Sequence, residues 1–488
     1  MSNPLKKITG QTAIYGISSI LGRLLNFALV PIYTTLFLPD LYGIVSYLFA
    51  ISALLMVVFT HGMETSYFRY SKLEGKHQEQ VYGTSFWSTF GFTSIVLLSA
   101  CFFTDNIASL LKLAKYKDYL YYLMLIMALD VFTTIPFARL REEGKARRFA
   151  WIKILNVVLN LSLNLFFYIL CPYLLNKGIA TEFVESIYHP EWGIAYIFIS
   201  NSLASALNVI LLFPQIKQIS KPSKSLWKEM IRYALPLMLA GLAYIINEMA
   251  DKLFLKSLLP EKIADYEIGV YSGCYKLAIF MNLFIQAFRY GAEPFFFAQA
   301  ASKNATAIYA RVMKFFVAFL LLIFLGVTFY IDIIKLLLRD SSYYEGIVVV
   351  PILLMANLFF GIYYNLSIWY KLTDKTHYGA YISLFGASIT IVGNILMIPY
   401  FGYIGSAWAT LICYASMCVI SYLLGQKHYP VKYDLKRLSL YFTVGLAMYI
   451  ISDIISDPYY LIRSLMLLSY ISLVILVEKP KKSIIFKN

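Results

Sequence analysis

The feature that most constrains this chain is a succession of long apolar runs separated by short polar joins. A helix needs about 20 apolar residues to cross the hydrocarbon core of a bilayer, and most of these runs reach that length. Only 14% of the 488 residues are charged, against about 25% in soluble domains. The sequence therefore predicts an all-α integral membrane protein.

Charged residues and Pro/Gly clusters bound about fourteen candidate transmembrane helices. They are predicted at 12–37, 41–63, 81–104, 117–138, 149–171, 192–213, 230–258, 267–290, 307–330, 346–369, 377–399, 403–424, 437–453 and 458–477. The longest join on the outer side, 172–192, has about 20 residues. No soluble domain is inserted, so function must lie within the membrane or at its two faces.

The joins on one side hold about 28 Lys and Arg residues, and those on the other side about 8. By the positive-inside rule the first side is cytoplasmic, which puts both termini in the cytoplasm. An even number of spans agrees with this. The same bias explains the net charge of +15, so the charge does not indicate nucleic-acid binding.

An internal repeat organises the chain. Asn26 lies thirteen residues before Pro39, and Asn247 lies thirteen residues before Pro260. Further matching segments are Tyr42-Gly43 with Ile268-Gly269, and 145–164 with 375–394. Six spans separate the copies, so the copies share one orientation. We predict two six-helix lobes around a central cleft, 1–220 and 221–430, followed by two more helices and a basic tail, 431–488. Asn26 and Asn247 would be pseudo-symmetric polar residues.

Several charged residues fall at membrane depth. Arg23 is the first, and an Arg near the centre of a helix costs about 2.5–3.5 kcal/mol on insertion scales. It should therefore face a cavity or form a structural ion pair with an acid on a neighbouring helix. With Lys276 and Arg289 it would make the cleft cationic, and the planar guanidinium suits a phosphate. We predict these three cations as substrate-binding residues.

The deep acids admit more than one role. Glu248 and Lys252 are spaced i,i+4 and can pair on one helix face. Asp251 points elsewhere and would meet Lys276 or the cleft. Asp130 has no partner in its own span, which leaves structural pairing and ion coupling both open. Charges nearer the cytoplasmic ends should snorkel or pair with loop cations; these are Glu64, Arg69, Lys153 and Glu293.

Other residue types add little chemistry. The five cysteines lie in or beside apolar runs without a CxxC pair, so we predict neither disulfides nor a metal site. Most aromatic residues are typical of the interfacial belt and packing. A few cleft tyrosines would offer a flat face and a hydroxyl to sugar rings; these are Tyr15, Tyr33, Tyr244 and Tyr275.

Several motifs resemble the polysaccharide-transport branch of the multidrug/oligosaccharidyl-lipid/polysaccharide (MOP) exporter superfamily, and most closely its Wzx-type flippases of O-antigen and capsule repeat units. They are 11–16 (QTAIYG), 22–27 (GRLLNF), 41–43 (LYG) and 268–276 (IGVYSGCYK). The resemblance implies translocation of an undecaprenyl-diphosphate-linked oligosaccharide across the bacterial inner membrane by alternating access. Arg23 matches a first-span arginine of such flippases.

The resemblance further implies transport without covalent chemistry and without a cofactor, with proton or sodium coupling left open. Its partners would be membrane lipids and the polymerase and glycosyltransferases of the same pathway. One alternative is a drug/cation antiporter of the MATE branch, which typically carries a first-span acid where this chain has Arg23. Another is a membrane-embedded polymerase or glycosyltransferase, which should have a larger outer loop. Whether the glycan is O-antigen, capsule or exopolysaccharide is open.

Overall fold

The structure is a computed structural model that describes residues 16, 20–25, 27–73, 77–300, 302, 304–455 and 460–478. Every element within these ranges is helical. The long helices are α1 (Ile20–Leu36), α2 (Pro39–Tyr70), α3 (Gln78–Phe102), α4 (Asp118–Glu142), α5 (Ala146–Asn176), α6 (Ala195–Leu211), α7 (Lys224–Leu258), α8 (Glu261–Leu277), α9 (Ile279–Gln299), α10 (Ala305–Phe329), α11 (Ser341–Leu372), α12 (His377–His428), α13 (Leu435–Ile454) and α14 (Tyr460–Glu478). Short helices lie at Thr104–Leu110, Ala114–Tyr116, Thr181–Ile187, Pro190–Trp192, Phe213–Ile216, Ile331–Ile334 and Lys335–Leu337.

The predicted fold class, an all-helical membrane protein, is confirmed. Ten helices in the described part of the chain are long and apolar enough to span a membrane, or twelve if each bent pair counts as one span. The bent pairs are α8 with α9, at 49°, and α6 with the short helices before it, at 115°. The predicted count of fourteen spans is therefore not confirmed.

Prolines and glycines set several helix boundaries. Pro39 begins α2, where a missing amide hydrogen costs nothing, and Pro260 immediately precedes α8. The 52-residue α12 contains one non-helical residue, Gly402, at φ 54° and ψ −138°. The sequence predicts a helix boundary at this point, between 399 and 403. Only glycine adopts such a conformation without strain, so Gly402 divides α12 into two parts.

The helices pack as two groups. Helices α2 to α6 contact one another, as do α7 to α12, and the last two helices, α13 and α14, lie against α10. The first turns of α7 depart from this division, because Leu226 and Met230 join a buried cluster with Met63 and Tyr82 of the first group. The two groups meet mainly where α2 packs against α8 and α7.

At the predicted outer end the two groups touch backbone to backbone. A Cβ built on Gly43 would overlap the carbonyl oxygen of Asp265, and one on Gly269 would overlap that of Pro39. The Tyr343 hydroxyl also donates to the Phe37 carbonyl at 2.8 Å. The outer end is therefore closed, and the close approach explains why the repeat has glycine at both positions.

A cationic cavity between the two helix groups

A central cavity of about 410 Å³ lies where the two groups face each other. Its walls come from α1, α2, α5 and α6 on one side and from α7 and α8 on the other. Its lining residues include two cationic side chains, Lys252 and Lys276, and the tyrosines Tyr33 and Tyr275. Lys276, which the sequence predicts as a cleft cation, therefore lines the cavity between the two helix groups.

The two lysines of the cavity have different partners. The Lys252 ammonium lies 3.3 Å from an Asp251 oxygen and 5.1 Å from the centre of the Tyr275 ring. This pairing replaces the expected i,i+4 pair of Lys252 with Glu248, because Asp251 folds back along its own helix. Lys276 is half-buried, and no described carboxylate lies within 4.0 Å of its ammonium. The cavity therefore has a net positive charge at Lys276.

Arg23 lies beside α9. Its guanidinium is exposed and donates to the Gln286 side-chain oxygen, at 2.5 and 3.2 Å, when that amide is oriented to accept. No described carboxylate pairs with Arg23. Its charge acts on Lys276 and Tyr275, so it adds to the positive potential of the cavity. The structural ion pair considered for Arg23 is absent among the described residues.

Arg289 lies in a separate space, here called the C-terminal chamber, of about 380 Å³ between α7, α9, α11 and α12. The Arg289 guanidinium is 4.2 Å from the centre of the Tyr364 ring. Lys371 lines the same chamber and pairs with Glu293 at 2.8 Å. The structure therefore separates Arg289 from Lys276, with which the sequence grouped it.

Asp130 lies in a third space, the N-terminal chamber, of about 430 Å³ between α2, α4, α5 and α6. Its carboxylate accepts a hydrogen bond from the Ser205 hydroxyl at 2.7 Å. Lys153 lines the chamber as well and sits 4.1 Å from the centre of the Phe137 ring. Asp130 and Lys153 act on each other electrostatically but form no ion pair within 4.0 Å.

The two chambers occupy corresponding places in the two helix groups. Positions 130, 133, 134, 137 and 141 line the N-terminal chamber, and the positions 230 later, 360, 363, 364, 367 and 371, line the C-terminal one. The same offset relates 145–164 to 375–394 in the sequence. The sequence analysis did not identify three lining residues of the C-terminal chamber, Tyr364, Tyr370 and Lys371. The offset of 230 residues relates Lys371 to Arg141 and would have indicated Lys371 as a site residue.

The Asn247 side chain is held by hydrogen bonds to α12, within its own helix group. Its side chain donates to the Ser383 carbonyl at 3.2 Å and accepts from Thr390 at 3.1 Å. The matching residue of the repeat, Asn26, lies outside the described residues, as does Tyr15. Asn164 and Asn394 are equivalent residues of the two helix groups, and they make the same hydrogen bond. Each side chain donates to the carbonyl four residues earlier, at 2.8 and 2.7 Å.

The charges near the predicted cytoplasmic ends behave largely as expected. Glu64 pairs with Arg141, and Arg69 stacks 4.2 Å from the centre of the Tyr233 ring.

The described residues contain no group of three or more His, Cys, Asp or Glu side chains placed to hold a metal. The three spaces present charged and polar side chains that suit charged and polar ligands.

Solved structures share this fold. The lipid II flippase MurJ, in an inward closed conformation, aligns with a TM-score of 0.73 at 16% identity, over 95% of this chain and 99% of that chain. An inward-facing multidrug resistance MATE family transporter of the MOP superfamily aligns with a TM-score of 0.66 at 14% identity, over 86% and 96%. No curated protein matches the sequence. The chain is thus a multi-pass membrane protein with the fold of MOP transporters.

The family follows from the sequence. Residues 8–298 match the family model described as polysaccharide biosynthesis protein. The chain therefore belongs to this family, and the resemblance drawn from its motifs is confirmed. The solved proteins that share its fold include a flippase and a multidrug transporter.

Proposed function

We propose that the protein is a flippase that moves an undecaprenyl-diphosphate-linked oligosaccharide from the cytoplasmic to the periplasmic leaflet of a bacterial inner membrane. The observation that carries this proposal is the unpaired ammonium of Lys276 in a cavity between the two helix groups. An uncompensated cation at membrane depth is costly and marks a substrate path. A diphosphate supplies the missing negative charge, and the family points to glycan synthesis.

Charge-assisted hydrogen bonds would hold the diphosphate. Lys276 offers three donors, and Arg23 offers a planar fork that matches phosphate geometry. Their mutual repulsion is relieved when an anion lies between them. Lys252 contributes less, because Asp251 already neutralises it at 3.3 Å. We therefore assign the diphosphate to the part of the cavity lined by Lys276, with Arg23 as a further cation that acts on it.

An apolar groove supports a lipid-linked substrate. It has a volume of about 470 Å³ and is lined by side chains of α9, α10 and α14, among them Phe284, Phe288 and Phe316. Phe284 and Phe288 are spaced i,i+4 and share one face of α9, whereas Gln286 and Arg289 face another side. One helix thus presents an apolar face to a lipid chain and polar groups to the cleft.

The closed outer end supports alternating access. In this arrangement the substrate enters from the predicted cytoplasmic side and leaves after α2 and α8 separate. We further propose that Asp130 couples an ion to this cycle, since its carboxylate is held by one neutral hydroxyl. A drug/cation antiporter is disfavoured, because Lys276 and Arg23 would repel a cationic drug.

The test is translocation in proteoliposomes that contain an undecaprenyl-diphosphate-linked disaccharide. Lys276→Gln should lower the rate at least tenfold, because the neutral amide cannot replace the charge. Arg311→Gln is the matched control, since Arg311 is an exposed cation on α10 that lines none of the three spaces. An unchanged rate in Lys276→Gln, or no translocation by the wild type, would overturn the proposal.

A further inference from the structure

The C-terminal chamber is distinguished by its aromatic wall. The rings of Tyr244 and Phe360 lie 6.4 Å apart between centres, and those of Phe360 and Tyr414 lie 4.7 Å apart. Tyr244 is 39% exposed, so part of its surface faces the open space. A wall of tilted rings with hydroxyl groups presents flat apolar faces and hydrogen-bonding edges, which suits a ring-shaped polar ligand such as a sugar.

Arg289 is the uncompensated charge of this chamber. Its guanidinium is exposed and stacks on Tyr364, and no described carboxylate lies within 4.0 Å of it. Lys371, by contrast, is neutralised by Glu293 at 2.8 Å. Stacking fixes the plane of the guanidinium, so its remaining donors are oriented before a ligand arrives. A planar fork of this kind pairs in a bidentate manner with a carboxylate.

The corresponding space in the other helix group is lined by two phenylalanines, Phe137 and Phe149, and by no tyrosine among the described residues. Where the C-terminal chamber has Phe360, Tyr363 and Tyr364, the N-terminal chamber has Asp130, Thr133 and Thr134. The aromatic wall is therefore not a general consequence of the fold. The two groups have diverged at equivalent positions, which points to a ligand held on one side only.

The chamber lies next to the proposed diphosphate position. Gln286, which contacts Arg23, precedes Arg289 by three residues on α9. The Glu248 carboxylate acts on Tyr244 most strongly among the nearby charges, and the charges of Arg289 and Arg23 act on the same side chain. A glycan attached to a diphosphate beside Arg23 would therefore reach the aromatic wall with its first residues. The chamber volume of about 380 Å³ falls in the range of small-ligand pockets, about 300–1,000 Å³.

We propose that the C-terminal chamber is a sugar-binding subsite that receives a glycan residue bearing a carboxylate. This inference rests on the proposed flippase function. Arg289 pairs with the carboxylate. Tyr244 and Phe360 contact the ring. The substrate class is thereby narrowed to acidic oligosaccharides.

The test uses the purified full-length chain in lipid nanodiscs and two probes with the same sugar backbone, trigalacturonate and its fully methyl-esterified form. Ligand-observed saturation-transfer NMR measures both affinities. The wild type should bind the free acid at least tenfold more tightly than the ester. Arg289→Gln should reduce this preference below threefold, and Arg289→Lys should retain part of it. Tyr244→Ala should weaken both probes, and Arg311→Gln should change neither.

Binding of undecaprenyl diphosphate to the same variants separates this inference from the proposed function. Lys276→Gln should lose the lipid diphosphate and keep the preference for the acid. A wild type that binds the lipid diphosphate without preferring the acid would overturn the sugar subsite alone. Retention of the full preference in Arg289→Gln, or its loss in Lys276→Gln, would also overturn it. A wild type that prefers the acid but translocates no lipid-linked disaccharide would contradict the proposed function instead.

Discussion

Gly43 and Gly269 make the closed outer end possible, and replacing either with alanine should open it. A Cβ on Gly43 would lie 2.8 Å from the Asp265 carbonyl carbon and 2.9 Å from the Gly269 nitrogen, whereas ordinary contact begins at 3.4 Å. A Cβ on Gly269 would lie 2.8 Å from the Pro39 Cα. All these neighbours are backbone atoms, so no side chain can turn aside. The helices α2 and α8 must separate by more than about 0.6 Å, the difference between 3.4 and 2.8 Å, because the carbonyl oxygens of Asp265 and Pro39 lie closer still.

The size of the effect follows from the cost of overpacking. Forcing an extra methyl group into a well-packed contact costs about 1–3 kcal/mol. That cost applies only to the closed state, because the helices part when the outer end opens. The gain in helix propensity from glycine to alanine, about 1 kcal/mol, is equal in both states and cancels. The ratio of closed to open molecules should therefore fall by about 5-fold to 150-fold.

Distances between spin labels would measure this shift. Lys115 and Lys262 are exposed at the outer end, on opposite helix groups, and cysteines there can carry the labels after removal of the exposed Cys101. Gly43→Ala and Gly269→Ala should each broaden the distance distribution toward longer values and slow translocation. Gly91→Ala is the control, because nothing lies within 4 Å of a Cβ at that glycine. An unchanged distribution in both variants, with the protein correctly folded, would refute the reasoning.

Three further predictions concern ion coupling, stability and orientation. Asp130→Asn keeps an acceptor for Ser205 but removes the charge, and it should alter the dependence of transport on a proton or sodium gradient. An unaltered dependence would remove the coupling role. Asp251→Asn should instead cost about 3–5 kcal/mol of unfolding free energy, because it leaves buried Lys252 unpaired; denaturation of the two variants checks the contrast. A cysteine at Lys72 should react with an impermeant maleimide only from the cytoplasmic side, and one at Lys262 only from the periplasmic side; the reverse would overturn the orientation.

Helix positions were predictable because they depend on local properties. A run of about 20 apolar residues is stable across a bilayer whatever it packs against. The break at Gly402 and the start of α2 at Pro39 likewise follow from the backbone chemistry of single residues. The count of spans was less predictable, because bends such as that between α8 and α9 depend on packing.

Charge partners were predictable only where the partners lie at helix ends. Glu64 and Glu293 pair with cations there, as expected, since loop cations are abundant on that side. Within the membrane Lys252 pairs with its neighbour Asp251, and side-chain rotamers rather than sequence spacing decide between this partner and Glu248. Arg289 lies over Tyr364, which is distant in sequence, and no local pattern indicates such a contact.

The sequence by itself determined that this is a helical membrane protein with a repeated pattern, including a glycine four residues after Pro39 in α2 and another nine residues after Pro260 in α8. Only the tertiary structure decided that these two glycines touch each other, that Lys276 has no counter-ion among the described residues, and that Arg289 lies in a chamber of its own. The reason is physical: helix formation in lipid satisfies the backbone within one segment. A cavity, by contrast, is defined by side chains from several helices whose relative positions no single segment specifies.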